Sequence, residues 1–191
     1  MKHSRLFFFL TILVFAGLGS LVNAQFAGKK SDWKGFKKTV FKVAGYDAFV
    51  VEPKEPAKDK PWVWRARFPT YHTEIDEMLL RDGYHIAHIN AGRRLGSPNA
   101  LKIWRPFYDL LTNKHGLNKK VVLEGVSRGG LYVYRWAKAY PETVACIYND
   151  TPVCDFKSWP GGKGVGKGAQ GQWKRVIEEY GFKNEEEAMA Y

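Results

Sequence analysis

The stretch that most limits how this chain can fold is a serine turn bracketed by glycines. The apolar run Val121-Val122-Leu123-Glu124 passes directly into Gly125-Val126-Ser127-Arg128-Gly129-Gly130, and helical spacing follows from Leu131 to Ala139. A strand that becomes a helix across so few residues must hold a strained backbone at the serine, and its neighbours must be nearly free of side chain. Gly125 and Gly129, two residues before and two after Ser127, are expected to supply that room. The amide of Arg128 would then stand at a helix N-terminus, aimed at a site for negative oxygen.

Strands and helices alternate around this turn. Lys38 to Ala44 alternates in polarity, Gly45-Tyr46-Asp47 can turn, and Ala48 to Glu52 returns as the partner of a leading hairpin. A connection rich in proline and charge, Pro53 to Lys60, leads to a strand from Trp62 to Phe68. Thr73 can cap a helix with Ile75, Met78 and Leu79 on its apolar face, and Gly83 closes it. Tyr84 to Asn90 reads as a strand and Gly92 to Ser97 as a basic loop. Leu101, Trp104, Tyr108 and Leu111 then keep helical spacing down to Gly116, with Pro106 kinking that helix or marking its start. Lys120 to Glu124 and Val144 to Tyr148 are short strands on either side of the helix Leu131 to Ala139. Strands separated by helices specify an α/β fold, a mostly parallel sheet with helices on both faces. At 191 residues, 45% hydrophobic and 26% charged, the chain suffices for one domain with its own core.

The N-terminus has a different logic. Lys2 and Arg5 precede an apolar run from Leu6 to Val22 that closes with Val22-Asn23-Ala24, the layout of a secretory signal peptide cleaved after Ala24. The expected organisation is a signal peptide over 1–24, a basic segment over 25–37 and an α/β domain over 38–191, with a lid-like or helical insert over 155–191. Such a protein would be secreted or periplasmic, with no stable membrane anchor after cleavage. Thirty Lys and Arg against 19 Asp and Glu give a formal charge of +11, and cleavage removes two of the basic residues, leaving +9. An exported chain meets little nucleic acid, so no nucleic-acid partner is expected and the charge points to an anionic substrate. Two cysteines exclude a disulfide scaffold. Pairing of Cys146 with Cys154 is left open, since it requires Cα atoms within about 7 Å.

From about Lys38 to Cys154, with Gly125-Val126-Ser127-Arg128-Gly129 at its centre, the chain resembles the α/β-hydrolase family. The resemblance implies that Ser127 is a nucleophile and that the Arg128 amide forms one arm of an oxyanion hole. By position, the other arm falls to Arg67 or Phe68 in Trp64-Arg65-Ala66-Arg67-Phe68. The Ser-Arg pair in Gly-Val-Ser-Arg-Gly-Gly is also similar to the nucleophile motif of glucuronoyl esterases, in which the arginine side chain helps to stabilise the oxyanion. That likeness implies a carbohydrate esterase. No metal and no cofactor are implied. Family members run Ser, acid, His along the chain, whereas His3, His72, His85, His88 and His115 all precede Ser127. Asn184 with Glu185, Glu186 and Glu187 opens a helix that stops at Tyr191 after about two turns. The expectation is therefore the N-terminal portion of a hydrolase, ending before the last strands that carry the acid and the histidine, and inactive alone. Asp150 sits where some relatives carry the acid and is read here as a turn or site-lining residue.

Other patterns carry less chemistry. Gly161 to Gly168 approaches the phosphate loop G-x-x-x-x-G-K-[ST], but Gly168 lacks the hydroxyl that Mg²⁺ needs and no strand precedes it, so it reads as a flexible basic loop. His85 and His88 stand three apart on a strand, face opposite sides and cannot chelate one metal. Trp62, Trp64, Trp104 and Trp136 read as core, whereas Trp159 and Trp173 flank the glycine loop and can stack on a sugar or anchor that loop. Arg65, Arg67, Arg93, Arg94 and Arg128 all fall near strand ends that would face the site. Their summed field suits an anionic substrate such as a uronic-acid-bearing polysaccharide ester. The functional expectation is an exported serine hydrolase acting on a small or carbohydrate-linked ester through an acyl-serine intermediate. A prolyl-oligopeptidase-like peptidase and a non-catalytic anion-binding module are the alternatives.

Overall fold

In the computed structural model the described residues are 25–191, so the signal peptide expected over 1–24 lies outside them. Seven strands form one sheet among the described residues: β1 (Lys29–Trp33), β2 (Phe36–Val43), β3 (Tyr46–Glu52), β4 (Trp62–Arg65), β5 (His85–Ile89), β6 (Val121–Val126) and β7 (Val144–Asp150). Their order is β1-β2-β3-β5-β4-β6-β7. The pairs from β1 through β3 to β5 are antiparallel, and β5, β4, β6 and β7 run parallel. Five α-helices accompany them among the described residues: α1 (Glu74–Arg81), α2 (Pro98–Asp109), α3 (Gly130–Ala139), α4 (Gln170–Tyr180) and α5 (Glu185–Ala190). No helix among the described residues is long and apolar enough to cross a membrane.

Alternation along the strands sorts the core into two layers. Trp62, Trp64, Ala87, Ile89, Val121 and Leu123 share one cluster with Trp104 and Phe107 of α2 and Val133 and Trp136 of α3. Val51, Val63 and Ile86 point the other way, onto Leu80 of α1. The larger layer is an aromatic slab in which Trp64 stacks on Trp104 at 4.1 Å and meets Trp136 edge-on at 4.9 Å. Each such pair contributes about 0.5–1.5 kcal/mol beyond the area it buries.

Three elements differ from the sequence reading. The basic segment 25–37 is not separate from the sheet, because β1 pairs with β2 from Lys29↔Val40 to Trp33↔Phe36. Lys34 and Gly35, with φ of +53° and +84°, form the two-residue turn that matches strand twist. The leading hairpin turns at Ala44-Gly45 (φ +50° and +85°), not at Gly45-Tyr46-Asp47, and Lys42 and Lys37 pair with the directly opposed Asp47 and Glu52. Helix α2 starts at Pro98, where the missing N–H costs nothing, so Pro106 does not mark its start and lies inside the helix.

The segment 155–191 packs into the main core through Phe156, Trp173 of α4, Val176 of α4 and Ala188 of α5. Trp173 is buried and anchors this segment, which removes it as a stacking platform for a sugar. The Asn184 side chain accepts from the Glu187 amide and caps α5. At the other border α4 is tied to the loop before α2, where Arg94 pairs with Glu179 at 2.9 Å and the Tyr180 hydroxyl donates to the Leu95 carbonyl.

Candidate active site

The turn after β6 is a sharp elbow. Val126 is extended, Ser127 has φ +50°, and a single 3₁₀ turn over Ser127–Gly129 feeds α3. A non-glycine residue in that left-handed region costs on the order of 1–3 kcal/mol and persists only when its surroundings enforce it. Here the Ser127 carbonyl accepts from the Gly130 amide and, at 2.8 Å, from the Val153 amide. The steric demand on the flanking glycines is not distributed as the motif suggests. A Cβ on Gly125 would lie 2.2 Å from Asn149 Oδ1, and one on Gly130 would lie 2.6 Å from the Val153 carbonyl oxygen. A Cβ on Gly129 would meet only the Arg67 and Ala66 side chains, at 3.4 and 3.6 Å. Gly130, not Gly129, is the second position that requires glycine.

That same short approach places the loop after β4 against the elbow. The Ala66 amide donates to the Glu124 carbonyl at 2.9 Å, and among the described residues the amides of Arg67 and Phe68 donate to no protein acceptor. Phe68 itself turns the chain with φ +52°. Arg128 is the second residue of its 3₁₀ turn, too early for an intrahelical partner to its N–H. Free amides from two adjacent turns thus flank Ser127.

The arginines separate into distinct roles. Arg65 is 1% exposed, so its expected place facing substrate is corrected: it is a structural cation. Its guanidinium binds Asp76 of α1 and Glu124 of β6, the latter at 3.2 Å, and donates to the Tyr71 carbonyl at 2.6 Å. Two carboxylates share that one guanidinium. Burial, opposed by Arg65 and reinforced by Asp76 and Asp150, pushes Glu124 up to about 7; burial likewise raises Asp76. Arg94 is committed to Glu179 and Tyr46. Arg67 donates to the Gly92 carbonyl at 2.9 Å, Arg128 lies over the Phe68 ring, and Arg93 is exposed. Trp159 is half-buried against the main core.

No described histidine is hydrogen-bonded to Ser127. His85 and His88 point to opposite faces of β5, as expected, and burial drives both down to about 4, so they are neutral at ordinary pH. His88 is further fixed by the Arg65 carbonyl at 2.8 Å, and His115 stacks on Phe26 at 3.9 Å. His72 is exposed and lines a cavity of 210 Å³ with Glu124, Tyr148 and Asp150 on the α1 side of the sheet. Asp150 is in register with Val126, at the end of β7 beside the elbow. Cys146 and Cys154 are unpaired and exposed. Sequence reasoning missed Asn149, whose amide reaches the Tyr134 hydroxyl and whose oxygen fills the space over Gly125, and it missed the Asp76–Glu124 pair. A glutamate inside an apolar strand was the one available signal for the second.

The parallel core, with its crossover between β5 and β4 and a strained serine after β6, can be compared directly with solved structures. A candidate dipeptidyl aminopeptidase IV from Bacteroides ovatus superposes with a TM-score of 0.56 at 16% identity over 84% of this chain and 26% of its own. A cold-adapted esterase from an Arctic intertidal metagenomic library gives 0.50 at 16% over 63% and 61%. The chain has the α/β-hydrolase fold. Cfl2 from Burkholderia cenocepacia gives 0.50 at 18% over 66% of this chain and 46% of its own. The chain thus spans between about a quarter and three fifths of the length of these hydrolase-fold structures. No protein-family model matches it and no curated protein is similar to it in sequence. In the hydrolase fold the C-terminal ends of the parallel strands form the ligand face, and that is where Ser127, Arg128 and the Arg67-Phe68 loop meet.

Proposed function

We propose that the protein is an exported serine hydrolase that cleaves an ester through an acyl-serine intermediate. The observation that supports this best is Ser127 held at φ +50° between β6 and α3, with unengaged amides on the adjacent turn. Backbone strain of this kind is retained where function needs it. Ser127 Oγ would attack the ester carbonyl carbon while its proton passes to a base. The carbonyl oxygen, now negative, would be held by the Arg128 amide and by that of Arg67 or Phe68. Collapse of this intermediate would release the alcohol, which takes up the proton, and water would then hydrolyse the acyl-serine. Donors aimed at the developing oxyanion contribute about 3–4 kcal/mol each in such sites. The proton must go to a base other than His85, His88 or His115, which are buried and held by other partners.

Fluorophosphonate labelling of the full-length protein tests this reading. Ser127 is expected to be labelled and the Ser127→Ala variant to remain blank; a folded protein left unlabelled at Ser127 would overturn the enzyme reading and favour the non-catalytic anion-binding module. A peptidase is the second reading, because the candidate dipeptidyl aminopeptidase covers the largest share of this chain of the three structures. Turnover of p-nitrophenyl acetate beside an aminoacyl-p-nitroanilide separates the two, with the ester expected to be the better substrate.

A further inference from the structure

Of the five arginines near the ends of the parallel strands, two are neutralised by protein carboxylates. Arg65 is buried against Asp76 and Glu124, and Arg94 is paired with Glu179. Arg67, Arg93 and Arg128 have no carboxylate within ion-pair distance among the described residues. Arg67 and Arg128 converge on one side chain, and Arg93 is near enough for its charge to act on Arg67. The guanidinium carbons of Arg67 and Arg128 lie 5.7 and 5.2 Å from the centre of the same Phe68 ring. Burial lowers the pKa of Arg67, Tyr132 opposes that, and the positive charges of Arg128 and Arg93 lower it further. The Nε atoms of Arg67 and Arg128 are buried without a hydrogen-bond partner. Packing like charges together, partly desolvated and with donors unused, is unfavourable in the free protein and is relieved by an anion between them.

We infer that Arg67, Arg93 and Arg128 form a receptor for a permanent oxyanion, a carboxylate or a sulfate, carried by the substrate close to the bond attacked by Ser127. The inference rests on the hydrolase reading and gives it a substrate class, an ester that carries an acid group. The work is divided between backbone and side chain. Free amides of the two turns take the transient oxyanion, and the guanidinium groups take the charge already on the substrate. Guanidinium suits this task because its planar fork can donate two parallel hydrogen bonds to one carboxylate or sulfate.

Binding measured on the full-length Ser127→Ala protein tests the receptor without any need for turnover. D-glucuronate, glucose 6-sulfate and glucose are titrated by calorimetry at low and at high NaCl. At least one of the two anions is expected to bind about tenfold or more tightly than glucose, to weaken with salt, and to lose about tenfold in Arg93→Ala. The preferred anion identifies the group as carboxylate or sulfate. Arg94→Ala, whose charge is already paired with Glu179, is expected to bind like the parent. Equal binding of glucose and both anions, or anion binding unchanged in folded Arg93→Ala, overturns the inference. Labelling at Ser127 without anion binding removes only the receptor, whereas anion binding without labelling removes only the hydrolase.

Discussion

Ser127 and its glycines set the finest scale. The motif spacing draws attention to Gly125 and Gly129, yet the close approaches are at Gly125 and Gly130. The two differ in what they meet. Opposite Gly125 the shortest approach is to the end of the Asn149 side chain, whereas opposite Gly130 stand the Val153 carbonyl and the Pro152 ring, which cannot withdraw without moving the chain after β7. Gly130→Ala is therefore expected to lower stability by about 1–3 kcal/mol, the usual cost of overpacking. Gly129→Ala, with ordinary contacts and φ −62°, is expected to change it by less than about 0.5 kcal/mol. Urea unfolding of both variants checks this; a Gly129→Ala variant as unstable as Gly130→Ala would show that the motif position, not the packing, governs.

At the scale of elements, β4, β6 and α1 are joined by one buried ionic cluster, Arg65 with Asp76 and Glu124. Removing one partner of such a cluster strands a buried charge, at about 3–5 kcal/mol. Burial, reinforced by the Asp76 carboxylate that shares the same guanidinium, pushes Glu124 from an ordinary 4.5 up to about 7. Between those values the folded chain keeps a proton that the unfolded chain has released. The contribution of Glu124 to stability is thus fully present below about 4.5 and lost as pH rises through about 7. His85 and His88, pushed down to about 4 by burial, act oppositely: their contribution is present above 6.5 and lost as pH falls through about 4. The Glu124 signal is accordingly read in a difference. Relative to the parent, Glu124→Gln is expected to gain about 1–3 kcal/mol in unfolding free energy between pH 5 and pH 8. A difference that is flat or falls with pH would mean that Glu124 is ionised throughout.

The molecule as a whole is strongly basic, and its sequence has an apolar run from Leu6 to Val22 that we read as an export leader. We propose that the leader is removed on export, which would take Lys2 and Arg5 with it and leave a formal +9. Intact-mass analysis of protein recovered outside the cytoplasm is expected to show a chain beginning at Gln25, and a chain retaining Met1 there would argue against cleavage. The remaining charge is spread unevenly. Lysines on β2 face solvent, pair across the hairpin, as Lys37 does with Glu52, or lie over an aromatic ring, as Lys38 does over Phe49, while Arg67 and Arg128, with no carboxylate partner among the described residues, meet at the elbow.

What could be read from sequence was what depends on neighbours along the chain. Alternation, helical spacing, the Asn184 cap and the glycine-bracketed serine located the strands β2 to β7, the helices α1, α2, α3 and α5 and the elbow, because period, capping and turn chemistry are local properties. The sequence missed β1, since five residues with four polar side chains have no hydrophobic signature and are held by backbone pairing to β2. It also could not sort the arginines. Arg65 and Arg67 are two residues apart, a spacing that a continuing strand would put on one face, but β4 ends at Arg65, which is buried on Asp76, and the loop beyond it turns Arg67 to the elbow beside Phe68 and Arg128. Whether a charge is structural or available to a ligand depends on partners distant in sequence. Only the tertiary structure brings Asp76, Glu124 and Glu179 to their arginines, and by doing so it leaves Arg67, Arg93 and Arg128 without a carboxylate partner among the described residues.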